Sequence, residues 1–162
     1  MKVEKLMTRT VHCCYADEPL NRAAHIMWEH DCGVVPVVAP SDGGEHVVGM
    51  LTDRDICMAA YTQGRALTDI PIASAMSKHV FSCRPSDDIA VAIKVMEANQ
   101  VRRLPVADEQ ERLVGLLSLS DLAREALCEH GTTTPQIPDA TVGEALEIVS
   151  APRSASALVA AA

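Results

Sequence analysis

The chain has 162 residues, a formal net charge of −8 and an isoelectric point of about 5.1. This balance argues against a phosphate-backbone binder, which needs a basic face, and one Trp, two Tyr and one Phe offer no base-stacking platform. No apolar run approaches the roughly 18 residues of a membrane helix, and residues 1–6 begin no secretion signal. We therefore expect a cytoplasmic protein with no nucleic-acid or membrane partner.

The first half of the chain predicts five elements in the order β-α-β-β-α. A short extended piece (11–14) and an Asp/Pro-rich turn precede an amphipathic helix, whose apolar residues recur at helical spacing. These residues are Leu20, Ala23, Ala24 and Met27. Two apolar strands follow, over 34–38 and 46–51, and a second helix is expected from Asp53 to about Thr62.

The second half repeats this order. Its extended piece spans 80–83, its first helix carries Ile89, Ala92, Ile93 and Met96, its strands span 104–107 and 113–117, and its last helix runs from Leu119 to about Glu129. Met27 and Met96 are 69 residues apart, whereas Gly49 and Gly115 are only 66 apart. The first copy therefore has three extra residues, in the loop 41–44, and the shared register is the signature of an internal repeat.

The repeat sets the predicted domain organisation. A first repeat (1–62), a linker (63–72), a second repeat (73–130) and a C-terminal tail (131–162) are expected, with a short helix over 141–149 and a frayed end from 151 onward. A unit of about 60 residues buries little core by itself. We therefore expect an α+β fold in which two β-α-β-β-α repeats pack through their sheets as a pseudo-two-fold pair.

One motif occurs once in each half: Gly, two apolar residues, a hydroxyl, two variable residues and Asp. It reads Gly49-Met50-Leu51-Thr52-Asp53-Arg54-Asp55 and then Gly115-Leu116-Leu117-Ser118-Leu119-Ser120-Asp121. In a structural interpretation, the hydroxyl and the Asp form a capping box for the following helix. In a functional one, the hydroxyl and the helix N-terminus hold a phosphate, and the Asp accepts both hydroxyls of a ribose. Because the motif recurs at matching places, we favour the functional interpretation.

With the strands Val35-Pro36-Val37 and Leu104-Pro105-Val106, the two motifs resemble a tandem pair of cystathionine-β-synthase (CBS) domains, or Bateman module. The resemblance covers about residues 4–128, and the Thr-Asp-Arg-Asp form of the first motif resembles small stand-alone bacterial members. It implies two clefts that bind adenosine-containing ligands such as AMP, ADP, ATP, NAD or S-adenosylmethionine.

The family pattern implies a role for each motif residue. Asp55 and Asp121 would bind ribose hydroxyls, one in each cleft, and we name these the first and the second cleft. Thr52 and Ser118 would bind phosphate, with Ser120 helping in the second cleft.

The resemblance also implies the walls of the clefts. The early strand of the opposite repeat would face adenine, which places Val80 and Phe81 over the first cleft. It places His12, near Met7, over the second cleft. The remaining wall residues would be Val34, Val35, Pro36, Met50, Leu104, Pro105 and Leu116.

The two copies differ in their cations. Arg102 and Arg103 precede the second Pro-Val strand, and Arg54 lies inside the first motif. Arg103 occupies a position at which a related nucleotide-sensing kinase subunit binds phosphate, and a planar guanidinium suits bidentate phosphate contact. We therefore expect all three cations to bind phosphate, and the second cleft to hold phosphorylated ligands more tightly.

No phosphate-loop, metal-helix or nucleophile-elbow motif occurs, so we predict a non-enzymatic module without a metal site. We expect a nucleotide sensor that changes shape or assembly and acts in trans on an unknown regulated protein. One alternative is an interaction module that homodimerises through its helices, with Ile56, Ala59, Ala60, Leu122, Ala126 and Leu127 on the apolar faces.

A further alternative is a thiol- or metal-based sensor that uses Cys13-Cys14 with His12. The six cysteines form no C-x-x-C pair and no zinc-like spacing. The simpler interpretation is that they are reduced thiols packed as small apolar groups.

Overall fold

The computed structural model describes residues 1–41, 43–131 and 133–152. The expected frayed end therefore falls almost wholly outside the described residues. In the described part, no helix combines the length and the hydropathy needed to span a bilayer.

The first repeat is a three-stranded sheet with two helices. Its elements are β1 (Cys14–Tyr15), α1 (Leu20–Glu29), β2 (Val34–Ser41), β3 (Gly44–Thr52) and α2 (Asp53–Gln63). The strand order is β1-β2-β3, with β1 parallel and β3 antiparallel to β2. The β2–β3 hairpin runs to the pair Ser41–Gly44, so the extra residues of the first copy lengthen this hairpin.

The second repeat has the same plan with a shorter sheet. Its elements are α3 (Ile89–Asn99), β4 (Arg103–Ala107), β5 (Leu113–Ser118) and α4 (Leu119–Glu129), followed by α5 (Asp139–Ser150). The expected extended piece at 80–83 is reduced to one parallel bridge between Cys83 and Val106. The repeats meet where His46 of β3 pairs with Arg112 beside β5. The predicted pair of α+β repeats is confirmed.

The two repeats exchange their opening segments. Val3 and Met7 lie in the core of the second repeat, whereas Ile70 and Ile72 lie in the core of the first. Backbone hydrogen bonds fix both segments, because the N–H of Ile89 donates to Met1 and the N–H of Leu20 donates to Ile70, each at 2.9 Å. Each segment thereby caps the first helix of the other repeat. Val3 and Ile72 are equivalent residues of the two segments, 69 positions apart in the sequence.

Helix α5 covers the helical face of the second repeat. Ala145 and Val149 are buried with Ile137 in that repeat's core. The amide of Gln100 donates to the carbonyls of Ile148 and Ala151 at 3.3 and 3.2 Å. The helix expected over 141–149 lies within α5, which is longer because Asp139 already follows an extended Pro138 at its N-terminus.

The apolar helix faces expected to form a homodimer are mostly used inside the chain. Ile56 and Ala59 belong to the core of the first repeat. Leu122 and Ala126 belong to the core of the second, which α5 also covers. Leu127 differs from these four residues, because it is 73% exposed.

Candidate functional site

Both motifs form complete capping boxes at the point where a strand ends and a helix begins. The hydroxyl of Thr52 accepts a hydrogen bond from the N–H of Asp55 at 3.2 Å. Oδ2 of Asp55 accepts from the N–H and the hydroxyl of Thr52 at 2.8 and 2.6 Å. Ser118 and Asp121 repeat the same three distances. The structural interpretation of the motif therefore holds in both copies, and any ligand contact is added to it.

The two carboxylates differ in their second oxygen. Oδ1 of Asp121 accepts from Nη2 of Arg124, one helical turn further along α4. The matching position in α2 is Met58, and no hydrogen bond to Oδ1 of Asp55 is found among the described residues. The first cleft thus offers an uncommitted carboxylate oxygen, whereas in the second cleft Arg124 competes for it.

Each motif strand pairs with an exchanged segment. Thr8 and Leu116 exchange two backbone hydrogen bonds of 2.9 Å. Ser77 and Met50 exchange two of 2.9 and 3.0 Å. The chain that leads to Phe81 therefore starts on β3 of the first repeat, beside the motif whose cleft it was expected to cover.

The glycine of each motif lets the exchanged segment approach closely. A Cβ on Gly49 would lie 2.6 Å from Sδ of Met76 and 3.0 Å from a backbone carbonyl oxygen. A Cβ on Gly115 would lie 2.6 Å from Sδ of Met7 and 3.1 Å from the carbonyl oxygen of Thr8. Any side chain at these positions would push the segment away, so the glycines are required by cross-repeat packing.

The residues expected to wall the clefts fall into two groups. Val34, Val35, Pro36, Leu104 and Pro105 are buried in β2 and β4, whereas Met50, Leu116 and Val80 are half-buried and Phe81 is 39% exposed. The first group therefore supports the strands from within the core. The second group leaves apolar surface on which a ligand could rest.

His12, which was expected over the second cleft, contacts the residue that follows α1. Its imidazole stacks on that of His30, with the ring centroids 3.5 Å apart and an interplanar angle of 5°. His30 follows the C-terminus of α1, so His12 is engaged by the first repeat after the chain has left Thr8. Among the described residues, no group of three or more His, Cys, Asp or Glu side chains is arranged to hold a metal ion.

The three candidate cations point in different directions. Nη2 of Arg102 donates to Oγ of Ser150 at 3.1 Å, which directs Arg102 to α5. Arg54 is exposed in the first turn of α2. Arg103 begins β4, but its Nη2 lies 3.7 Å from the position a Cβ of Gly33 would take, in the first repeat. Arg103 therefore has its backbone beside Ser118 of the second motif and its guanidinium near Gly33 of the first repeat.

Gly33 and Asp53 were not among the residues that the sequence assigned to the clefts. Oδ2 of Asp53 lies 3.2 Å from the same Cβ position at Gly33, so it faces the space that Arg103 enters. The signal was present in the repeat itself, because Gly33 aligns with Arg102 and Asp53 with Leu119. Ser120, also expected to bind phosphate, is exposed in the first turn of α4.

The vicinal thiols of Cys13 and Cys14 are poorly suited to redox chemistry. Burial, with the carboxylate of Glu45 nearby, raises the pKa of Cys13 to about 11. Burial, with the nearby carboxylate of Glu18, raises the pKa of Cys14 to about 12. A thiol reacts as its thiolate, so this pair is neutral and slow to react at physiological pH.

We therefore expect Ellman's reagent at pH 8 to label Cys57 and Cys128 first, since both are exposed on helices. Cys13 and Cys14 should react much more slowly, because their raised pKa values leave few of these thiols ionised at pH 8. Mass mapping of the labelled peptides checks this, with the Cys57→Ser/Cys128→Ser variant as the control that loses the fast phase. Rapid labelling of the vicinal pair in that variant would instead favour a thiol-based sensor.

The chain was compared with known families and proteins. A family model described as CBS domain matches residues 3–61 and 68–127. The CBS domain-containing protein YhcV of Bacillus subtilis is 36% identical over 121 residues, which cover 75% of this chain and 82% of that protein. Hypoxic response protein 1 of Mycobacterium tuberculosis is 35% identical over 125 residues, which cover 77% of this chain and 84% of that protein.

Solved structures agree with these matches. Hypoxic Response Protein I, solved with two coordinated zinc ions, has a TM-score of 0.64 at 34% identity and covers 76% of this chain and 98% of its own. The CBS domain pair of protein MJ0100, in complex with 5′-methylthioadenosine and S-adenosyl-L-methionine, has a TM-score of 0.67 at 21% identity and covers 76% and 94%. The second likeness shows the fold alone. With two matched repeats, exchanged opening segments and paired motifs, the chain belongs to the CBS domain family as a tandem pair.

Proposed function

We propose that this CBS pair is a regulatory module that binds an adenosine-containing ligand, of the AMP, ADP, ATP or NAD type or S-adenosylmethionine, and acts in trans without catalysing a reaction. Ligand binding would shift its conformation or assembly, and an unidentified protein would respond to the new surface. The six cysteines are free thiols, which fits action in the cytoplasm.

One observation carries the proposal: each helix that begins with the hydroxyl–Asp pair also lies beside a segment from the other repeat. The N-terminus of α2 offers N–H groups and a positive dipole to a phosphate. Oδ1 of Asp55 is available to a ribose hydroxyl, and Met50 and Val80 provide half-buried apolar surface. A nucleoside phosphate needs these three kinds of contact. The CBS domain pair of MJ0100, which shares this fold, was solved in complex with 5′-methylthioadenosine and S-adenosyl-L-methionine.

A ligand can shift the conformation only by its differential affinity for the two arrangements. The exchanged segments provide a suitable element, because each touches both a motif strand and the core of one repeat. At about 1 μM affinity the total binding free energy is about −8 kcal/mol, so a small differential part is sufficient for a switch.

Isothermal titration calorimetry tests this function. The purified protein is titrated with AMP, ATP, NAD and S-adenosylmethionine, and with Zn²⁺ alone as a comparison. We expect micromolar binding of at least one adenosine-containing ligand, with one or two sites per chain. A folded protein that gives no heat with any of the four would remove the proposal.

A second candidate function is a dimerisation or interaction module. Trp28 on α1 and Tyr61 on α2 favour it, because they are 87% and 81% exposed. Both residues belong to the first repeat, whereas α5 packs on the second. Molecular mass by light scattering, with and without nucleotide, separates assembly that needs ligand from assembly that does not.

A further inference from the structure

The helical faces of the two repeats differ in what covers them. In the second repeat α5 packs on α3 and α4, and its Ala145 and Val149 are buried there. The family model ends at residue 127, so α5 lies beyond the two matched repeats. Helices α1 and α2 pack on each other and on their own sheet, and within the described part of the chain no third α-helix covers them as α5 covers α3 and α4.

Equivalent positions of the two repeats show the effect of this difference. Ile93 on α3 and Ala126 on α4 are buried. Their counterparts on the first repeat, Ala24 on α1 and Ala60 on α2, are only half-buried. The internal repeat thus presents the same helical face twice, once covered and once open.

Two aromatic side chains belong to the exposed side of α1 and α2. Trp28 lies one helical turn after Ala24 and is 87% exposed, and Tyr61 follows Ala60 and is 81% exposed. Met58, also on α2, is 47% exposed. Trp and Tyr are enriched in the cores of protein interfaces and among the residues that dominate binding energy. These side chains therefore mark the open face as an interaction surface.

Helix α1 also provides a shallow depression in which opposite charges are paired. The depression has a volume of about 820 Å³ and is lined by Glu18, Pro19, Asn21, Arg22, His25 and Trp28. Nε of Arg22 lies 3.8 Å from a carboxylate oxygen of Glu18, and Nε2 of His25 lies 3.9 Å from one of Glu29. Because the whole chain has a net charge of −8, two copies repel each other over most of their surface. At this depression the charges offset each other, so that repulsion is weakest here.

The area of the aromatic side chains suits a second copy of the chain. A two-fold interface joins a patch to the same patch on its partner, so Trp28 and Tyr61 would each be used twice. One such side chain buries about 150–250 Å², so four supply about 600–1,000 Å², or roughly half of the 1,200–2,000 Å² of a stable interface. Met58 and the walls of the depression add to this area.

We propose that two copies associate through their α1–α2 faces, and that α5 is a built-in cover that keeps the matching α3–α4 face out of the assembly. A chain with two open faces would add a copy on each side, whereas a chain with one open face stops at a dimer. This inference rests on the second candidate function and gives it a surface and a partner. It does not depend on a nucleotide, so its test is carried out without ligand and leaves the nucleotide proposal unaffected.

The fluorescence of Trp28 reports on the open face directly, because it is the single tryptophan of the chain. As the concentration rises, we expect the mass from light scattering to reach twice 17.3 kDa. Acrylamide quenching of Trp28 should fall over the same range of concentration. Tyr61→Ala should raise the dissociation constant of the dimer at least about tenfold, and should keep Trp28 open to the quencher at concentrations where the unmodified chain is a dimer.

Leu127→Ala is the matched control. Leu127 occupies the position on α4 that Tyr61 occupies on α2, and it is also exposed. Because this residue belongs to the α3–α4 side, its replacement should change the dissociation constant by less than about twofold.

A second pair of variants tests the cover. Ala145 is fully buried between α5 and the second repeat, so Ala145→Asp should release α5 and let the mass exceed that of a dimer. Leu146→Asp places the same charge on the exposed side of α5 and should remain a dimer. Hydrogen exchange of residues 139–150 shows whether α5 is released, and circular dichroism melts show whether the repeats stay folded. Val149→Asp replaces Ala145→Asp if that variant unfolds.

The results that overturn the inference are distinct. A chain that stays monomeric at high concentration would remove the second candidate function itself, whether Trp28 is quenched or already shielded within the chain. A dimer whose dissociation constant Tyr61→Ala leaves unchanged would show that the α1–α2 face is not the interface. Release of α5 without any mass beyond that of a dimer would show that α5 is not a cover.

Discussion

Replacing Gly49 or Gly115 by valine is expected to lower the free energy of unfolding by about 2–3 kcal/mol each, the upper range for forcing extra atoms into a packed site. The new Cβ would lie 2.6 Å from a methionine sulfur and 3.0–3.1 Å from a backbone carbonyl oxygen. The sulfur of Met76 or Met7 can move, but the carbonyl is fixed by the two hydrogen bonds of its cross-repeat pair. The exchanged segment would therefore have to leave its motif strand.

Urea denaturation followed by circular dichroism measures this effect, with the midpoint and the slope recorded separately. Gly143→Ala is the matched control. Nothing lies within 4 Å of a Cβ at Gly143, which is inside α5. Alanine there should raise stability by up to about 1 kcal/mol, since it favours the helix over glycine. If the valine variants were as stable as the control, the close approach of the segments would not be a constraint on the fold.

The second large effect is expected from the motif carboxylates. Asp55→Ala should weaken nucleotide binding at the first cleft by about 1.5–3 kcal/mol, or roughly 10- to 150-fold, the scale of hydrogen bonds to a charged group. It should also lower stability by about 1 kcal/mol, because Oδ2 completes the capping box of α2. Asp121→Ala should lower stability by a similar amount.

The ligand effects of the two substitutions should differ. Oδ1 of Asp121 is shared with Arg124, so a ribose in the second cleft must displace that contact. Asp55→Ala should therefore cost more binding than Asp121→Ala. Calorimetry gives the affinities, and thermal melts without ligand give the stabilities. Glu147→Ala, which removes the same charge from an exposed position on α5, controls for net charge. A loss of stability with no loss of affinity would mean that Asp55 and Asp121 cap their helices and do not bind the ligand.

Much of the fold was accessible from the sequence because both copies carry the same periodic pattern. α2 and α4 begin at the expected residues, Asp53 and Leu119. The exchange of the opening segments was not accessible from the sequence, because residues 1–8 and 70–77 are short, contain single-turn helices and have no periodicity of their own. Their location depends on contacts with distant parts of the chain, which local pattern does not encode.

The candidate site, like the fold, could be predicted from the sequence only in part. The motif predicted both helix starts, and its hydroxyl–Asp pair forms the capping boxes. Capping and ligand binding use the same atoms, so the sequence could not separate the two interpretations. The sequence marked Arg103 as a cation that the first copy lacks, but not that its Nη2 would lie 3.7 Å from the Cβ position of Gly33, in the other repeat. A contact across the pseudo-two-fold axis is not visible from either motif alone.

The exchange of the opening segments also constrains how the protein is synthesised. The first core needs Ile70 and Ile72, so it cannot close until the chain has passed its own second helix. The second core needs Val3 together with Leu122, which lies 119 residues later in the chain. Residues 1–8 therefore stay unburied while most of the chain is translated. Their docking is a late folding step, because it forms contacts between residues that are far apart in the sequence.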